Sequence, residues 1–257
     1  HPDVRRMLMT MRACTEATRA LGYVTAAALD RAHRHPDADV RRSEFAFAEL
    51  MIPIVKGWST EVAQRTTHLG VQVHGGMGYI EESGAAQYVR DARITTIYEG
   101  TTAIQANDLI GRKIARDGGA ALNAAIATMR DGRLALSENG SDDLAIVGAR
   151  LRVGIDALDE AARWIVARYR NEPRTVLAGA GPFLELAGIV CGGAALGRAA
   201  LIAAKKLAAG EGDAAFWRAK IATARHFADH CLTATAGLRD TVVEGAGSVL
   251  ALADDDF

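Results

Sequence analysis

The 257 residues predict an all-α chain of two parts, an antiparallel bundle of about four helices followed by a second helical domain. Three observations carry that prediction. Aromatic residues make up only 5% of the chain, and β-branched runs are short. Ala, Leu and Arg recur throughout, and these residues lose least on entering a helix. Apolar residues also repeat in alternating steps of three and four, the period of one helix face. Hydrophobic content of 49% with 24% charged residues excludes disorder as the main state. With 30 Lys+Arg against 31 Asp+Glu the net charge is −1, which removes the simplest argument for a nucleic-acid partner. Cys14, Cys191 and Cys231 are too scattered for a disulfide framework or a C-x-x-C site, so a reducing compartment is expected. No basic segment followed by an apolar run opens the chain, so no signal peptide is expected, and His1 in place of Met reads as the start of an excised piece.

The first helix follows from the stripe Val4, Met7, Met11, Cys14, Thr18, Leu21, Thr25 and Ala28, and closes near His33 to Pro36. A second runs from about Arg42 to His74, with Leu50, Ile54, Trp58, Val62, Leu69 and Val73 on one side. Pro53 falls inside it and predicts a kink or a late start. Gly75-Gly76-Met77-Gly78 stops it, and a short helix covers Gly84 to Arg93. Ile94-Thr95-Thr96-Ile97-Tyr98 is β-branched and reads as extended. Thr102 and Gln105 have capping-box spacing, so a helix is expected from there to about Arg116, with Glu99 just ahead of it on a turn that Gly100 permits. Asp117-Gly118-Gly119 is the linker candidate, dividing the chain into residues 1–117 and 118–257. Beyond it helices are expected near 120–136, 141–170, 175–209 and 212–247, with no sequence repeat.

Four features invite chemistry. The glycine cluster at 75–78 is neither a Walker A loop, since no Gly-Lys-Ser/Thr follows, nor a Rossmann fingerprint, since a helix precedes it. A helix C-cap is its plain explanation. Glu99 is either a general base on a glycine turn or a first-turn acid that the helix dipole favours. His226 and His230, four residues apart on a helix, could share a metal, but no third ligand stands at matching spacing, so no metal is expected. Val176 to Leu196 approaches the ~20 residues of a membrane span. Glu185 within it, and Gly188, Gly192, Gly193 and Gly197 at close-packing spacing, point instead to a central buried helix or a dimer seam.

The runs Val71-Gln72-Val73-His74-Gly75-Gly76-Met77-Gly78-Tyr79, Arg90-Asp91-Ala92-Arg93-Ile94 and Ile97-Tyr98-Glu99-Gly100-Thr101 resemble, in order and spacing, the C-terminal helical domain of the flavin-dependent acyl-CoA dehydrogenases. The opening His1 to Leu8 resembles the start of that domain's first long helix, and residues from about 120 on are similar to an extra helical domain of the longer bacterial-type members. The resemblance implies an FAD-dependent oxidoreductase in which Glu99 removes the α-proton of an acyl-CoA thioester while a hydride leaves the β-carbon for the flavin. It implies that Gln72, Val73, His74, Gly75 and Gly76 approach the ADP part of FAD, usually from a neighbouring subunit. Thr101 would be another flavin contact, with Tyr98 and Gly100 flanking the acyl group. Ala103 stands where many relatives carry a polar side chain.

The chemistry agrees with the residue types. A weakly acidic α-proton needs a fixed base, and burial of a carboxylate raises its proton affinity while a helix N-terminus lowers it. Desolvation is expected to dominate once substrate closes the site. The resemblance further implies an electron-transfer flavoprotein as partner, a homodimer or homotetramer, a bacterial cytoplasmic setting, and inactivity of this piece without the missing flavin-ring domains. A helical dimerisation or interaction module that has lost catalysis is the alternative.

Overall fold

A computed structural model describes residues 1–139 and 141–256, and among them every regular element is helical. Helix α1 (Pro2–Arg34) begins where Pro2 fits the first turn and the His1 ring accepts the Asp3 N–H. It ends two residues ahead of Pro36, with His35 extended (ψ 138°), as Pro disfavours helical geometry in the residue before it. Helix α2 (Ala38–Val73) starts earlier than the apolar stripe suggested, because the Asp37 carboxylate caps it by accepting the Asp39 N–H. Pro53 lies buried inside α2 and neither delays its start nor ends it.

The buried line of α1 is Met7, Ala13, Ala17, Leu21, Thr25 and Ala28, so the stripe expected through Met11, Cys14 and Thr18 lies at its half-buried edge. Ala13 and Ala17 are fully buried where α1 packs against α2, α9 and α10, and small residues permit such packing.

After α2 come the four-residue helix α3 (Gly76–Tyr79), α4 (Ala85–Arg93) and α5 (Thr102–Asp108). The helix expected to run on to Arg116 changes character at Leu109, where residues to Ala115 are π-helical. Asp117-Gly118-Gly119 then turns the chain: both glycines have positive φ (66° and 83°), and the Asp117 carboxylate accepts the N–H groups of Gly119 and Ala121. Helices α6 (Ala120–Ser137) and α7 (Asp142–Arg168) match expectation.

The helix expected over 175–209 is two, α8 (Pro173–Ala178) and α9 (Ala180–Ala208), parted at Gly179, against which the Val242 backbone packs. The one expected over 212–247 is likewise broken, into α10 (Ala214–His230), a 3₁₀ turn, α11 (Thr235–Glu244) and α12 (Ala246–Val249).

Helix α9 is the axis of the molecule. It is long and apolar enough to cross a membrane, but two thirds of its most apolar window is buried in the protein, against α1, α2, α6, α7, α10 and α11. A methyl group on Gly188 would fall 2.1 Å from the Trp58 ring, and one on Gly192 would fall 2.8 Å from it. Gly193 and Gly197 are crowded in the same way by Leu232 and Leu136. The glycines are thus spent inside the chain: of the two roles the sequence left open, α9 is the central buried helix. Trp58 is 1% exposed, and burying an indole contributes about 4–6 kcal/mol by area. The hydrophobic core runs from Ala13 and Trp58 through Leu122 and Leu158 to Val242 without a break at residues 117–119. The ion pairs Lys113–Glu49, Arg65–Glu185 and Lys220–Glu16 also join helices.

Candidate functional site

Residues 94–98 are not extended. Ile94–Thr96 forms one 3₁₀ turn, and the N–H groups of Ile97 and Tyr98 both donate to the Ile94 carbonyl. β-branched residues favour a pleated strand when a neighbouring strand offers hydrogen bonds, and none is present here among the described residues. The threonines bond backward instead, Thr95 donating to the Ala92 carbonyl at 2.6 Å and Thr96 to that of Arg93 at 3.2 Å. The Gln64 amide donates to the same Ala92 carbonyl and ties the turn to α2.

The chain then enters Glu99-Gly100 with φ of 56° and 86°. Glu99 is the one non-glycine residue with positive φ among the described residues, a conformation that costs about 1 kcal/mol or more. Lys56, from the middle of α2, holds the strained turn. Its ammonium donates to the carbonyls of Thr95 (2.9 Å), Tyr98 (3.0 Å) and Gly100 (2.8 Å), which uses all three of its donors. It also sits 5.6 Å from the centroid of the Tyr98 ring. Helix α5 is capped by Thr101, whose hydroxyl accepts the Ile104 N–H, and not by Thr102 as the spacing suggested. The Thr102 hydroxyl donates to Glu61 of α2 instead. Gln105 packs its amide against Gly100, where a methyl group would lie 2.8 Å from Nε2. Lys56, Glu61 and Gln64 escaped the sequence reading, although their i, i+5 and i+8 placement puts them along one stretch of α2.

Glu99 itself is exposed, and so are Ile94, Ile97, Tyr98 and Ile104 around it. Burial of the base, expected from the chemistry, is absent in this chain. A groove of about 890 Å³ between α1, α2, α6 and α9, with Phe47 and Met129 among its walls, includes none of the turn's residues.

The second cluster lies at the far end of α2. Gln72, His74, Gly75 and Gly76 are exposed and Val73 is half-buried. The His74 ring bonds through Nδ1 to the Gly70 carbonyl, leaving Nε2 outward. Gly75 has a φ of 59°, and a methyl group on Gly75 or Gly76 would meet nothing within 4 Å. Gly75 thus ends α2, while Gly76 to Gly78 re-enter a helix, so only the first glycine of the cluster acts as the stop. Met77, Tyr79 and Tyr88 nearby are exposed apolar groups. From Lys56 to His74 is 18 residues of α2, about 27 Å of helix at 1.5 Å per residue. The structure therefore brings Tyr98, Glu99, Gly100 and Thr101 together, and Gln72 to Gly76 together, but not the two groups with each other.

His226 and His230 stack with ring centroids 4.2 Å apart, and His226 bonds Thr10 at 3.0 Å through Nε2. Burial and the neighbouring His230 lower the His226 pKa from its usual value. Among the described residues no three His, Cys, Asp or Glu side chains cluster as a metal site would need.

Comparison with known proteins covers nearly all of the chain. The family described as acyl-CoA dehydrogenase, C-terminal domain, matches residues 1–114, and that described as acetyl-CoA dehydrogenase C-terminal like matches residues 119–253. The chain is 44% identical to 3-methylmercaptopropionyl-CoA dehydrogenase of Ruegeria pomeroyi, over 97% of this chain and 42% of that protein. It is 34% identical to the broad-specificity linear acyl-CoA dehydrogenase FadE5 of Mycobacterium tuberculosis, over 94% of this chain and 41% of that one. An acyl-CoA dehydrogenase of Bacillus anthracis, solved with FAD, shares the fold with a TM-score of 0.71 at 18% identity, over 99% of this chain and 44% of that one. The chain thus spans about two fifths of the length of these relatives.

Proposed function

The chain belongs to the acyl-CoA dehydrogenase family, and from that premise we propose that it supplies the proton-abstracting part of an FAD-dependent α,β-dehydrogenation of an acyl-CoA thioester. Glu99 takes the α-proton on a carboxylate oxygen. A bound FAD would supply the acceptor for the hydride that leaves the β-carbon. Lys56 fixes the carbonyls on both sides of Glu99, so the base meets the substrate in one backbone geometry. Tyr98 and Gly100 flank the acyl group, and Thr101 faces the flavin.

The observation that carries the reading is the strained Glu99-Gly100 turn. A left-handed glutamate held by an internal lysine and followed directly by a capped helix is more than a first-turn acid requires, because such an acid needs no positive φ.

The residues at 72–76 fit a dinucleotide: their glycine backbone is exposed, and nothing of the chain stands over it. Lying about 27 Å from the Lys56 anchor, they serve a second cofactor, bound to another subunit. This supports a homodimer or homotetramer. The exposed apolar rim of Ile97, Tyr98 and Ile104 supports a covering surface that excludes water from the base, supplied by the part of the relatives' length that this chain does not span. The isolated 257 residues are accordingly inactive. An electron-transfer flavoprotein takes the electrons, in a bacterial cytoplasm.

The test is Glu99→Gln in the flavin-loaded enzyme that carries this region. Turnover should fall by about 10²–10⁴-fold with flavin absorbance unchanged. Unchanged turnover would favour the non-catalytic helical module, the reading that the exposure of Glu99 supports.

A further inference from the structure

Helix α5 carries a capping box in its sequence that it does not use. Thr102 and Gln105 have the spacing at which a hydroxyl caps a helix and an amide returns the bond. The fold draws both away. The Thr102 hydroxyl donates to Glu61 of α2 at 2.6 Å, the short distance of a bond to a carboxylate. Gln105 lies between two glycines: a methyl group on Gly57 would fall 3.1 Å from its Cβ, and one on Gly100 would fall 2.8 Å from its amide nitrogen. The helix therefore begins at Thr102, one residue earlier than its box would place it. Thr101, extended (φ −61°, ψ 166°), caps it by accepting the Ile104 N–H at 3.3 Å, a long bond at an exposed residue. The weaker cap is in use because the alternative is worse. Glu61 is half-buried, and Thr102 is its one hydrogen-bond partner among the described residues, so a switch of caps would leave that carboxylate unpaired.

The single residue matters because of what precedes it. Lys56 fixes the carbonyls of Tyr98 and Gly100, on either side of Glu99. Glu61 stands five residues further along α2, about 7.5 Å of helix, and fixes the chain again at Thr102. Were Thr102 the cap, it would leave the helix, and the link that holds the two positive-φ residues would gain a residue of slack.

We propose that Glu61 is a positioning residue for the base: by holding Thr102 it makes Thr101 the cap of α5 and sets where the turn that carries Glu99 ends. The proposal rests on Glu99 being that base. The two side chains of α2 divide the work, Lys56 setting the shape of the turn and Glu61 its length. Glu61 acts through Thr102 alone.

The test is made in the flavin-loaded enzyme that carries this region. Glu61→Ala and Thr102→Val each remove one end of the bond and should lower kcat by about 10–100-fold, with KM and flavin content nearly unchanged. Glu61→Gln and Thr102→Ser keep an acceptor and a donor, so each should recover most of the loss. Glu61→Ala combined with Thr102→Val should be no worse than the worse single variant, since one bond cannot be lost twice. Hydrogen exchange over residues 98–105, read by mass spectrometry, should rise in the two damaging variants and not in the two conservative ones. Glu99→Gln in the same enzyme separates this proposal from the reading beneath it: full turnover there removes the base, and with it any role in placing it. Where Glu99→Gln does abolish turnover, full kcat in Glu61→Ala and Thr102→Val, multiplied losses in the double variant, or unchanged exchange would overturn the role of Glu61.

Discussion

Two glycine clusters in this chain do opposite work. At Gly188 and Gly192 an added methyl group would collide with the Trp58 ring, so the missing side chain is room for another residue of the same molecule. At Gly75 and Gly76 the same methyl group would meet nothing, so the missing side chain leaves backbone uncovered at the surface. The first cluster builds the core. The second serves whatever lies beyond the chain. Glycine content therefore says little until the neighbour is known, and the contrast separates residues that hold the fold from residues kept for binding.

Gly188→Ala should strain that contrast most. The indole is fully enclosed and cannot retreat, so a loss of about 3 kcal/mol and a clear fall in Tm are expected in thermal melts. An unchanged melt would show that Trp58 can move. Lys56→Met comes next. It releases three carbonyls around Glu99, which should destabilise the protein by about 1–3 kcal/mol and, in the flavin-loaded enzyme, lower kcat far more than KM. Equal effects on both constants would mean that Lys56 supports folding alone.

A smaller effect concerns His226. Its pKa is lowered in the fold, chiefly by burial and by His230, so the folded state binds fewer protons there than the unfolded chain does. Stability should therefore decline as pH falls below the ordinary histidine value of 6.5, and His226→Gln should flatten that decline in denaturant titrations. Gly76→Ala should do least to stability, within about 0.5 kcal/mol in the same titrations. A marked loss would mean that this cluster, too, is structural.

The fold class was legible because helix signals here are local: the α1 stripe, Pro36, and the apolar stretch of α9 each read correctly in kind. What escaped depends on tertiary partners. Ile94 to Thr96 looked extended because β-branched residues want a strand beside them, and the fold offers a lysine and a glutamine from α2 instead. Thr102 had the capping-box spacing to Gln105 in sequence, but its hydroxyl is taken by Glu61 and Thr101 caps the helix instead. The break at Gly179 follows from Val242, more than sixty residues away. At the candidate site the motif order was visible, but the positive φ of Glu99 and its Lys56 anchor were not, since a lone lysine in a helix looks like any solvated one.

Helix α9 also bears on how the chain is made. It is the stretch that a membrane-insertion machinery would notice, yet α1, α2, α6 and α7 leave the ribosome before it and can offer it a bed at once. A circular permutant that delivers α9 first would expose the same sequence with nothing to receive it, and aggregation or mistargeting would follow from gene order alone.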